Sequence, residues 1–125
     1  MGTWGPGNFD DDAAADHLAR LTDQLVTEIA EAMSGDPVAL EPDEYWGVAV
    51  PANVELLAVL ARLDYVGVLL PEVAVIETWK SQFLAVWDNA IDGLEPSPAF
   101  KEARRAVLVG TFDDLAELRR LADDG

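Results

Sequence analysis

Apolar residues recur at intervals of three and four along most of this chain, and this spacing limits the folds that it can adopt. In the first such segment they are Leu18, Leu21, Leu25, Ile29 and Met33. Residues at these intervals share one face of an α-helix, whereas a β-strand would need strict alternation. Because further stripes of the same kind follow, the sequence predicts an all-α protein.

Glycine and proline divide these segments into five predicted helices. The helices are expected over about residues 11–33, 42–63, 71–92, 97–110 and from 111 onward. Pro51 should either kink the second helix or separate it into two, which would give six. The prediction is therefore a compact bundle of five helices, or six, forming a single domain over residues 1–125. A Gly/Pro-rich segment, residues 1–10, precedes the bundle and packs on it.

The third predicted helix carries an aromatic ladder made of Trp79, Phe83 and Trp87. At helical spacing in a chain of this size, such side chains belong to the core. The alternative is a ligand groove or partner site, since aromatic residues dominate interface hot spots. The preceding connector, residues 64–70, is short and apolar, and we expect a loop or helix end there. Residues 42–63 are apolar on nearly all sides, which predicts a central, buried helix.

The N-terminal segment has three glycines and a proline around Trp4, followed by Phe9 and three aspartates. Glycine permits tight turns, so the segment can fold back and place Trp4 and Phe9 in a core. Asp10 is expected to cap the first helix, because an aspartate side chain accepts a hydrogen bond from a free amide of the first turn. Asp11 and Asp12 would then lie at the positive end of the helix dipole.

This opening run, Met-Gly-x-Trp-Gly-x-Gly-x-Phe-Asp-x-Asp, resembles the start of a short bacterial family known only as a domain of unknown function, number forty-two fifty-nine. The matching positions are Gly2, Trp4, Gly5, Gly7, Phe9, Asp10, Asp12, Ala14 and Asp16. The resemblance is specific over about the first eighteen residues. It implies a small, helical bacterial protein and supplies no catalytic residue.

A cation site is the alternative interpretation of the same aspartates. Asp10, Asp12 and Asp16, with His17 beside them, offer oxygen and nitrogen ligands, and Asp12 and Asp16 share a helix face. The alternating ligands of a calcium loop are missing, however. Capping therefore explains these residues better, and we expect no metal, no cofactor and no catalytic residue. Asp16 is also placed to pair with Arg20 across one turn.

The net charge of this chain makes some classes of binding partner unfavourable. Eight basic and 24 acidic residues give a net charge of −16, which disfavours nucleic acid and anionic membranes and favours a basic protein partner. Residues 1–62 hold 12 of the acidic residues and only two basic ones. If an acidic recognition surface exists, this half supplies most of it. The candidate partner-binding residues are Asp11, Asp12, Asp16, Asp43 and Glu44.

The residue types and motifs that the sequence lacks are its main constraint on function. With one histidine and no cysteine, catalytic triads and zinc sites are disfavoured, and no phosphate-binding loop or nucleophile elbow occurs. We expect a non-enzymatic, acidic protein-binding module of a bacterial cytoplasm, for example one that neutralises a basic toxin. The alternatives are a divalent-cation-binding protein or hydrolase using the aspartate cluster, and a structural homo-oligomer using the aromatic ladder or the connector. The sequence leaves the oligomeric state open.

Overall fold

The structure, a computed structural model, describes residues 2–124 and is all-helical. The four α-helices are α1 (Asp12–Ser34), α2 (Tyr45–Arg62), α3 (Val73–Ala90) and α4 (Pro98–Asp124). Short 3-10 helices, Pro37–Leu40 and Ile91–Leu94, precede α2 and follow α3. Over residues 2–124 the β-structure amounts to one isolated bridge, between Thr3 and Asp11. The predicted fold class is confirmed, but the predicted number of helices is wrong.

Ion pairs across α3 and α4 show that these two helices run antiparallel. From the start of α3 to its end, the pairs are Glu77–Arg120, Lys80–Asp113 and Asp88–Arg105. The last pair is bidentate, with both nitrogen–oxygen distances at 2.9 Å. These hydrogen bonds from Arg105 lower the pKa of the Asp88 carboxyl.

The core lies where α2 packs against α1 and α4, and where α3 packs against α4. Val50, Val54 and Leu57 of α2 are completely buried, as is Phe112 of α4. The aromatic ladder is buried too, so its assignment to the core is confirmed. The expectation of a helix buried on nearly all sides is wrong for α2, whose exposed apolar residues include Val48, Leu56 and Val59.

The start of α2 differs from the prediction because a loop crosses close to it. The helix begins at Tyr45 rather than at Pro42, and it continues through Pro51 without a break, so two separate helices are excluded here. Gly47 is buried against the loop, and a Cβ at this position would collide with the carbonyl group of Glu41. The absence of a side chain at Gly47 therefore allows the loop to pack on the helix.

The last two predicted helices are one continuous helix, α4. Gly110 lies inside it, and Thr111 donates its hydroxyl to the Val107 carbonyl at 2.7 Å instead of capping a new helix. A glycine inside a helix costs about 1 kcal/mol. Burial of Leu108 and Phe112 on either side of Gly110 outweighs that cost, because a break would remove one of them from the core.

The connector between α2 and α3 is a loop, as predicted, and it packs on the start of α1. Gly67 has a positive φ of 112°, and a Cβ there would collide with the Ala15 backbone. Arg119 of α4 donates to the Leu70 carbonyl at 2.6 Å and so fixes the other side of the connector. None of the helices within residues 2–124 is long and apolar enough to cross a lipid bilayer.

Two glycines of helix interiors should respond oppositely to substitution by alanine. Gly110→Ala should raise the free energy of unfolding by about 0.5–1 kcal/mol, because the added methyl group meets no neighbouring atom within 4 Å. Gly47→Ala should lower it, because the methyl group overlaps a backbone carbonyl. Thermal unfolding of both variants, followed by circular dichroism, checks this. A Gly110→Ala protein with a lower Tm than the parent would contradict a continuous α4.

Candidate functional site

The N-terminal segment folds back along the first turn of α1 through backbone hydrogen bonds. The Trp4 amide donates to the Asp10 carbonyl at 2.8 Å, and the Asp12 amide donates to the Gly2 carbonyl at 2.6 Å. The Thr3–Asp11 bridge lies between them. The segment is therefore part of the fold and determines which atoms the neighbouring aspartates contact.

Asp11, rather than Asp10, caps α1, so the predicted cap is wrong by one residue. Its carboxylate accepts hydrogen bonds from the Ala13 amide at 2.8 Å and from the Thr3 hydroxyl at 2.6 Å. Asp10 instead accepts from the Gly7 amide at 2.9 Å. Three adjacent aspartates are all suitable caps, and the contact with Thr3 distinguishes Asp11 from the others.

The two aromatic residues of the segment do not enter the core together. Trp4 is 49% exposed, and its indole nitrogen donates to the Asp12 carboxylate at 3.2 Å, so its expected burial is wrong. Phe9 is partly buried and stacks on Tyr65 of the connector, with 4.4 Å between ring centroids. Phe9 thus joins the N-terminal segment to the connector.

The predicted cation ligands are not brought together. Asp10, Asp11 and Asp12 each accept hydrogen bonds inside the segment, and Asp16 and His17 are exposed on α1. No group of three or more histidine, aspartate or glutamate side chains within residues 2–124 is arranged to hold a metal ion. These contacts support the capping interpretation over the cation site.

One face of α1 carries a row of carboxylates that we call the α1 acidic stripe. It consists of Asp12, Asp16, Asp23 and Glu31, all exposed. Their spacing of four, seven and eight residues places them along one face of the helix. Arg20 lies on the same line, but its guanidinium is 3.3 Å from the His17 imidazole and forms no ion pair with a described residue. The predicted Asp16–Arg20 pair is therefore wrong.

None of the ion pairs within residues 2–124 involves a carboxylate of this stripe. Seven carboxylates form ion pairs among residues 2–124, and all of them belong to residue 77 or a later one. Six of the eight basic residues are used in these pairs. The 12 acidic residues of positions 1–62 are consequently without an ion pair to any described residue.

The predicted partner-binding residues fall into three groups. Asp12 and Asp16 belong to the stripe, whereas the Asp11 carboxylate is occupied in capping. Asp43 and Glu44 precede α2, near the opposite end of α1, which is roughly 33 Å long at 1.5 Å per residue. The prediction missed Asp23 and Glu31, although their helical spacing from Asp16 was visible in the sequence.

Of the two interfaces proposed for a homo-oligomer, the aromatic ladder is not at the surface. The aromatic ladder is buried and cannot contact a second molecule. Exposed apolar residues remain on the connector, among them Tyr65, Val66 and Leu69.

Comparison with known proteins gives one match. The family model described as Domain of unknown function (DUF4259) matches residues 2–122. The chain belongs to this family. The match covers the N-terminal segment, the connector and nearly all of α4, so the domain known from this family includes every element described above. Neither the curated proteins nor the solved structures contain a significant match.

The Asp11 cap of α1 leads to a testable prediction about the stability of the fold at low pH. Hydrogen bonds from Thr3 and from the Ala13 amide hold the pKa of Asp11 below its ordinary value of 3.8. The stabilisation from this cap is therefore present above that value and is lost as the pH falls through the folded-state pKa. Thr3→Val should raise the pKa of Asp11, because it removes the hydrogen bond that lowers this pKa most.

An NMR titration of the Asp11 side-chain carboxyl measures this change. Thr27→Val is the matched control, because Thr27 is exposed on the same helix and is remote from the cap. An unchanged pKa of Asp11 in Thr3→Val would show that the threonine hydroxyl does not stabilise the carboxylate.

Proposed function

We propose that this protein is a binding module that docks on a basic protein through the α1 acidic stripe. The observation that carries the proposal is the segregation of charge: six of the eight basic residues pair with carboxylates from residue 77 onward, and the acidic residues of α1 form no ion pair with a described residue. A surface with this distribution has its strongest complement in a row of lysine or arginine side chains.

Electrostatic attraction would raise both the affinity of such a surface for a basic partner and the rate of association. Carboxylates one turn apart on a helix repel each other by a few tenths of a kcal/mol per pair, and opposite charges on a partner relieve this repulsion. The net charge of −16 also attracts a basic partner over long range and raises the association rate at low salt. Exposure of Asp16, Asp23 and Glu31 leaves their carboxylates accessible to a partner.

A basic surface that itself contacts phosphate groups would be masked by this docking. Neutralisation of a toxin is one form that such masking takes, and a bacterial cytoplasm is the setting in which we place it. The family description names no partner, so the proposal is supported by charge and geometry alone.

Affinity capture from a lysate of the source organism tests the proposal, with two variants of equal net charge. The first, Asp16→Asn/Asp23→Asn/Glu31→Gln, neutralises the stripe but keeps Asp12, which binds Trp4. The control, Glu55→Gln/Glu72→Gln/Glu102→Gln, removes three exposed carboxylates that lie outside the stripe. The parent and the control should retain one basic protein at low salt, and the stripe variant should retain at least tenfold less.

High salt should release that protein, because ions screen charges separated by more than about 10 Å at 0.1 M. Equal retention by the stripe variant and the control would show that total charge, not the stripe, is responsible. Retention that does not change with salt, or no specific protein retained by the parent, would overturn the proposal.

A further inference from the structure

A cavity of about 460 Å³ lies at the end of the bundle where α2 and α4 begin and α3 ends. Trp87 and Ile91 form its buried base, at 2% and 3% exposure. Its rim carries Val48, Leu94 and Phe100, which are 60%, 48% and 55% exposed. The volume is in the range of small-molecule sites, which are concave, mostly apolar and have few polar groups. No residue of α1 lines it.

Arg104 is the single charged residue in the wall of this cavity. Among residues 2–124 it forms no ion pair, whereas six of the other seven basic residues do. Its neighbours one turn away on α4 are Phe100, Lys101, Val107 and Leu108, none of which is acidic. In a protein with 24 acidic residues, an arginine without a carboxylate partner beside an apolar cavity is an exception.

The start of α4 adds a second positive contribution. Ser97 lines the cavity and caps the helix, accepting a hydrogen bond from the Phe100 amide at 3.2 Å. The N-terminal end of this 27-residue helix carries the positive end of its dipole. Asp92, the acidic residue of the adjoining 3-10 helix, is paired with Lys101 at 2.7 Å. Arg104 and the first turn of α4 therefore both contribute positive charge to this wall of the cavity.

Two other cavities of the described chain lack this combination. A cavity of about 500 Å³ beside the connector contains Arg119, but this guanidinium already binds the Leu70 carbonyl and the Asp123 carboxylate. A third, of about 390 Å³ between α1 and α3, has no charged residue in its wall.

We propose that the cavity with Arg104 binds a small amphipathic carboxylate. The carboxylate would accept hydrogen bonds from the Arg104 guanidinium, whose planar donors match two carboxylate oxygens. The hydrocarbon part would lie above the buried base formed by Trp87 and cover apolar surface of Val48, Leu94 and Phe100 that is now in water. This site is independent of the acidic stripe, because no stripe residue contributes to it.

The test compares three probes with the same eight-carbon chain: octanoate, 1-octanol and octylammonium. Binding is followed by NMR, from the indole signal of Trp87 and the methyl signals of Val48 and Leu94. Octanoate should bind at least tenfold more tightly than 1-octanol, since a hydrogen bond to a charged group contributes about a tenfold change or more. Octylammonium should bind most weakly.

Arg104→Gln should abolish the preference for octanoate while the affinity for 1-octanol stays within twofold. Arg20→Gln is the matched control, because Arg20 is the other arginine without an ion pair to a described residue and lies on α1. An unchanged Tm in both variants shows that the fold is intact. Phe100→Ala should weaken octanoate and 1-octanol alike, because it removes apolar contact shared by both.

Three results would overturn the proposal. Equal affinity for octanoate and 1-octanol would show that Arg104 recognises no anion. An unchanged preference in Arg104→Gln would place the recognition elsewhere. Tighter binding of a peptide with a C-terminal leucine carboxylate than of octanoate would assign the cavity to a chain terminus instead of a small molecule.

Discussion

Burial of Val50, Val54 and Leu57 on α2 is the interaction on which the rest of the structure depends. These side chains lie in a core shared by all four helices, so α1 and α4 must both reach the middle of α2. The loop before α2 packs against Gly47, near the start of this helix. The connector that follows α2 packs against Ala15 of α1. Once α2 is placed in this way, the ends of the other three helices have little freedom.

The sequence predicted those features that local chemistry controls. Stripes of apolar residues predicted α1 and α3 within about two residues, and the predicted start of a helix at residue 97 agrees with the cap that Ser97 forms on α4. Long-range contacts explain the errors. α4 continues through Gly110 because the residues on either side of this glycine are buried. Asp11 rather than Asp10 caps α1 because the Thr3 hydroxyl donates a hydrogen bond to Asp11. At the candidate site, the sequence predicted Asp12 and Asp16 as partner-binding residues. It did not predict the cavity beside Arg104, because the residues that line this cavity are distant from one another in the sequence.

Charge divides the surface into regions with different chemistry. The basic residues of α3 and α4 other than Arg104 are paired with carboxylates, as is Arg62 of α2, and exposed pairs of this kind contribute little stability. Their main effect is to leave α1 with unpaired negative charge and Arg104 with an unpaired positive one. The acidic stripe suits a large basic partner, whereas the cavity suits a small anion. The two proposed sites share no residue.

Antiparallel packing also brings Phe9 and Arg119 to the same end of the bundle. Phe9 stacks on Tyr65, and Arg119 binds the Leu70 carbonyl, so residues near both ends contact the same connector. The cavity beside Arg104 lies at the opposite end, one helix length away, which is about 27 Å for α2. A surface to which the protein is attached through either end would therefore face the connector and leave the mouth of the cavity open to solution.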